Sequence, residues 1–98
     1  KNIPELKELI DKVSVNDIFE RVEGVFGENR VLSRNVKIYL CKKYTVKPLS
    51  EIGAYFNIGA SGVSKVYGRL SQRIEKDKKL KSKINKIIKS LNLSNVQT

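Results

Sequence analysis

The sequence predicts an all-α domain with a helix-turn-helix at its centre. Two observations carry that expectation. Apolar residues recur at helical spacing in one stretch after another, with capping or turn residues between them. The second is the segment Pro48 to Arg69, PLSEIGAYFNIGASGVSKVYGR. It has the pattern of a short helix, a tight turn and a second helix with a small, polar, basic outer side. The 98 residues suffice for one domain with one modest core, and 40% hydrophobic residues are too many for a disordered chain. Residues 1–98 therefore form a single helical domain, with a core unit at 15–91 and an accessory helix at 4–13.

Pro4 to Val13 suits that accessory helix. Pro4 fits a first helical position, and Leu6, Leu9, Ile10 and Val13 recur at helical spacing. Ser14 and Asp17 form an S-x-x-D cap pattern for the next helix. Its stripe is Val15, Ile18, Phe19, Val22, Val25 and Phe26, and Gly27 is expected to end it in the left-handed conformation. Asp17, Glu20 and Glu23 make its outer side acidic, so that side should face away from a polyanion. Glu28 to Leu32 has the composition of a loop, and Ser33 can cap a helix from Arg34 to about Lys43. Val36, Tyr39, Leu40 and Cys41 form its inner side, with Thr45 to Lys47 a linker closed by Pro48.

In the central motif, Leu49 or Ser50 opens the first helix. Ile52, Tyr55 and Phe56 can bury, while Gly53 and Ala54 let a second helix cross closely. Asn57-Ile58-Gly59 is the turn: Asn57 tolerates left-handed geometry and Ile58 can plug the gap between helices. Ser61 is expected to cap a helix from about Gly62 to Lys76. Val63, Val66, Leu70 and Ile74 occupy one narrow side of it. The opposite side carries Ser61, Lys65, Gly68 and Gln72, flanked by Ser64, Arg69 and Gly62, with no acid and no large apolar group. Such a side fits a major groove about 12 Å wide. Asp77 or Lys78 bends or restarts the helix, and Leu80, Ile84, Ile87, Ile88 and Leu91 make a last stripe ending by Asn92. Residues 76–91 hold seven Lys and one Asp, expected to be a solvated face with one or two lysines near phosphate. The apolar side of this segment is needed to close the core, which disfavours a membrane-surface helix. The tail from Leu93 should fray.

Charge narrows the partner. Residues 1–29 hold four basic and seven acidic side chains, a net −3, whereas residues 30–98 hold sixteen basic and three acidic, a net +13. Confined positive charge predicts one basic face and a polyanionic partner. No apolar run approaches the ~20 residues of a membrane span. The start has no signal-peptide pattern, and its opening on Lys1 leads us to expect further domains upstream. Cys41 is the single cysteine, which excludes an internal disulfide and fits a reducing cytoplasm. There is no His, so Ser-His and Cys-His catalysis are excluded and a zinc site is not expected. We expect no metal, cofactor, small-molecule substrate or enzymatic activity in this chain. A nucleophilic tyrosine would fall to Tyr44 or Tyr67, the least buried candidates, with no His pair to hold a metal.

The blocks VNDIFERVEGVFG (15–27), RNVKIYL (34–40) with KKYT (42–45), and PLSEIGAYF (48–56) resemble the C-terminal DNA-binding domain of the DnaA family of bacterial replication initiators. The likeness covers roughly Val15 to Leu91. It implies a Trp-repressor-like helical fold whose helix-turn-helix reads the major groove. It also implies that Arg34, Asn35 and Lys42 look to phosphates, and that Arg30 matches the family's loop arginine. The family carries Asp-His-Ser/Thr-Thr-Val at the start of its recognition helix. This chain has Gly59-Ala60-Ser61-Gly62-Val63, one residue shorter across the turn, and keeps one hydroxyl. The Val-Ser-Lys form is also similar to the DnaA-like tail of some tyrosine transposases, which would recognise element ends.

The expected function is sequence-specific binding of double-stranded DNA in the nucleoid. Ser61, Gly62, Ser64, Lys65 and Arg69 would read bases, with Gly62 leaving room for a thymine methyl. Arg30, Arg34, Asn35, Lys42 and Lys47 would hold phosphates. An RNA-binding helical module is the second reading, but Phe19, Phe26, Tyr39, Tyr55 and Phe56 mostly fall on apolar stripes, leaving few rings for stacking. An enzyme fragment using Tyr44 or Tyr67 as nucleophile is the third, and a helical protein-interaction module is a further one.

Overall fold

The computed structural model describes residues 14–93, with side chains as far as Leu91. The expected accessory helix at 4–13 and the end of the tail lie outside the described residues. The described chain forms α1 (Val15–Phe26), α2 (Arg30–Tyr44), α3 (Leu49–Ala54), α4 (Ala60–Lys76) and α5 (Lys78–Ile88), then a π-helical turn, Lys89–Leu93. There is no strand among the described residues, so the domain is all-α.

α1 starts as its sequence suggests. The Ser14 hydroxyl accepts from the Asp17 amide at 3.1 Å, and Val15, Ile18, Val22 and Phe26 are buried. Its end differs. Gly27 has φ −58°, right-handed, so the chain leaves without a left-handed glycine. Asn29 then takes the capping role expected of Ser33: its Oδ1 accepts from the Leu32 amide at 3.1 Å, and α2 begins four residues earlier, at Arg30. Arg30 thus sits on a helix rather than in a loop. Ser33 is 2% exposed, and its hydroxyl donates to Glu23 Oε2 at 3.2 Å. Lys37 Nζ lies 2.6 Å from the same carboxylate oxygen. Glu23 is therefore tied to α2, and the Lys37 ammonium, then Ser33, hold its carboxyl below the usual carboxylate range.

α2 is the hub. It packs against α1 on one side and against α3 and α4 on others. A helix enclosed in this way buries more than one stripe, and Ile38 joins Val36, Tyr39, Leu40 and Cys41 inside. Cys41 is fully buried, and desolvation pushes its thiol up to about 12, which makes it a small hydrophobic core residue. α3 and α4 form the central pair. Asp77 ends α4 with extended backbone, φ −111° and ψ 100°, and its Oδ1 caps α5 by accepting from the Leu80 amide at 3.1 Å. Leu80, Ile84 and Ile87 of α5 are buried as it packs on α1 and α4, so its apolar side closes the core.

Candidate nucleic-acid interface

The turn between α3 and α4 sets the site. The Gly53 carbonyl accepts from the Phe56 amide at 2.9 Å and from the Ile58 amide at 3.0 Å, while the Asn57 amide reaches the Ala54 carbonyl at 3.5 Å. This is the Schellman pattern, and it requires a left-handed residue at Asn57, whose φ is 60°. Asn is one of the few side chains that accept this conformation cheaply. Gly53 is needed for a related reason. A Cβ there would run into the Ile58 carbonyl oxygen and lie 3.1 Å from that of Gly59. The small residue thus admits the returning turn rather than a crossing helix.

α4 begins one residue after that turn. Gly59, in extended backbone, is its cap, and no side chain caps it; Ser61, expected as the cap, lies exposed in the first turn. Ser64, Lys65, Gly68, Arg69 and Gln72 are exposed with it, and there is no acid from Ala60 to Ile74. Gly62 departs from the expected placement. It is half-buried, and a Cβ there would lie 3.3 Å from Cβ of Ile58. Its smallness serves the packing of the turn, not an open space beside a base.

Arg34 and Asn35 of α2 line one surface concavity together with Arg69 and Arg73 of α4, over an apolar floor that includes Val66 and Leu70. Arg30 is exposed one turn before Arg34. Arg73 escaped the sequence reading, although it stands four residues beyond Arg69 and so on the same side of α4. Lys42 is half-buried. Its ammonium lies 4.3 Å from the centroid of the Tyr67 ring, which stacks on Tyr39 at 4.9 Å. This cation–π contact places the lysine at the α2–α4 junction. Lys47 Nζ is 3.1 Å from Glu51 Oε2, so a phosphate there must compete with a carboxylate.

Burial bears on the tyrosine candidates. Burial raises the hydroxyl pKa of Tyr44, which disfavours a tyrosinate there. Tyr44 and Tyr67 are both half-buried, and the most exposed tyrosine is Tyr55, at 49%. The Tyr55 ring is packed edge-on to Phe19, 5.7 Å between centroids. Among the described residues no group of three or more His, Cys, Asp or Glu could hold a metal ion. No described helix is long and apolar enough to cross a membrane.

The fold and this face define a helical domain that presents a helix, a tight turn and a cationic second helix. No protein-family model, curated protein or solved structure matches the chain.

Proposed function

We propose that the chain binds double-stranded DNA in a sequence-dependent way, with α4 as the recognition helix. The observation that carries this reading is the free side of α4. It is acid-free to Ile74, bears short side chains beside Lys65 and Arg69, and has Arg34 and Arg73 at its flank. Short side chains let a helix lie deep in the major groove, and Lys65 or Arg69 can donate to guanine O6 and N7. Ser61 and Ser64 supply hydroxyls for base edges or phosphates. Arg30, Arg34, Asn35 and Arg73 suit one phosphate strand, and Lys42 another position at the α2–α4 junction. The first amides of α4 are left without a side-chain cap and suit an anion. Six phosphate contacts would give a log–log salt slope of about −5.

The Trp-repressor-like arrangement, the likeness to the initiator family and the transposase-tail alternative belong to the same reading, and so does work on the nucleoid. RNA is the weaker partner, because Tyr55 is the one exposed aromatic among the described residues and it is already packed edge-on to Phe19. The test is selection of bound duplexes from a random pool, followed by Lys65→Ala and Lys42→Ala on the selected and a scrambled site. Lys65→Ala should narrow the preference between the two, and Lys42→Ala should weaken both alike. Equal losses on every duplex for Lys65→Ala would refute the assigned roles. An enriched motif like the initiator box favours origin binding, and a hairpin-flanking motif favours element ends.

A further inference from the structure

The outer side of α5 has a composition the recognition helix does not need. Lys78, Lys81, Ser82, Asn85, Lys86 and Lys89 line one shallow surface depression and are all exposed. They recur at three- and four-residue steps, so they share one side of α5 and the first residue of the π-helical turn that follows it. No acidic residue occurs from Lys78 to Leu91, and the four lysines make no ion pair with a described residue. At 1.5 Å per residue the row is about 16 Å long, the rise of about five base pairs. The opposite side of α5 is committed: Leu80, Ile84 and Ile87 are buried in the core.

We propose that this lysine row is a second polyanion-binding surface whose partner is duplex DNA flanking the stretch read by α4. It rests on the reading of α4 as a DNA helix. The chemistry favours this partner over a lipid surface. Interfacial helices insert their apolar side into the lipid, and α5 has none left to insert. Lysine ammoniums on long stems suit a row of phosphates, with Ser82 and Asn85 as neutral donors among them. The row is assigned to phosphates, so it adds hold without adding preference.

The test uses the 98-residue chain with Lys78, Lys81, Lys86 and Lys89 all changed to Gln, which keeps helix propensity. Binding is measured across a salt series on the selected site in a long duplex and on a duplex trimmed to that site. The expected result is a salt slope shallower by about 3 to 4 on the long duplex, at ~0.9 per lost contact. The ratio of selected to scrambled affinity stays unchanged, and the four Lys→Arg changes preserve the slope. An unchanged slope on the long duplex overturns the proposal. So does an equal drop on the trimmed duplex, which would put the row on the read site itself. Tighter binding of the wild-type chain to phosphatidylserine vesicles than to DNA, lost in the Gln variant, overturns it in favour of lipid. If selection finds no preferred sequence, the slope on scrambled duplex still reports on the row, so the two readings fail separately.

Discussion

α4 and α5 meet at Asp77, and both are basic and amphipathic, yet they offer solvent different chemistry. From Ser61 to Arg73, α4 shows serines, a glycine, a glutamine, Lys65 and two arginines; α5 shows a row of lysines. A lysine is a point charge on a flexible stem and attracts any phosphate equally. Short side chains between forked or single donors let a helix approach base edges closely enough to tell them apart. Their anchoring differs too. α4 is held against the hub helix α2 and aimed by the Gly53–Asn57 turn, whereas α5 follows from one capping aspartate and an apolar stripe. On the proposed DNA-binding reading, positive charge supplies grip, and shape with a fixed aim supplies choice.

The sharpest way to break that contrast is to disturb the aim. Gly53→Ala puts a methyl into the Ile58 carbonyl, and the turn must shift. We expect a loss of about 3 kcal/mol, the scale of overpacking, read as a drop in Tm of about 10–20 °C. An unchanged Tm would show that the turn does not depend on that close approach. Lys65→Ala comes next, with a loss of about 2 kcal/mol in preference for the selected over a scrambled duplex. Lys81→Ala should leave that preference intact. If the two changes act alike, α4 and α5 do not differ in role. Asn57→Val forces a β-branched residue into the left-handed region and should cost about 1–2 kcal/mol in urea unfolding, while Asn57→Gly should cost little. Equal stability of the two variants would remove the conformational argument for Asn57.

Parts of this layout are legible from residues alone. Ser14 caps α1, Asn57 carries the left-handed turn and Asp77 divides α4 from α5, because each answers to chemistry within four residues. The start of α2 is not legible in that way. Asn29 and Ser33 are both good caps, and what decides between them is Glu23, ten residues away from Ser33, which takes the Ser33 hydroxyl. The start of α4 misleads for a similar reason: Ser61 has capping chemistry, but the Schellman turn has already set the backbone by Gly59. Ile38 is missed because one stripe describes a helix packed on one side, and α2 is packed on several. The spacing of Arg73 from Arg69 is legible, but its place beside Arg34 in the α2–α4 concavity comes only with the fold.

The smallest effect concerns Lys47, whose proposed hold on phosphate is restrained by the protein itself. Its ammonium lies 3.1 Å from Glu51, four residues on, with both side chains partly exposed. Such pairs are worth about 0–1 kcal/mol, so the carboxylate is a weak competitor for the lysine. Against phosphate, however, it also repels. Glu51→Gln removes both effects while keeping shape and hydrogen-bonding capacity. If Lys47 approaches the backbone beside α3, every duplex should bind about 2–5-fold tighter at low salt, within that energy range. The selected-to-scrambled ratio should not move, and the gain should fade as ionic strength rises, since the pair lies near the surface. A gain confined to the selected site would move Lys47 from the holding residues to the reading ones. No gain on any duplex would place the start of α3 away from DNA and leave the hold to α2, α4 and the lysine row.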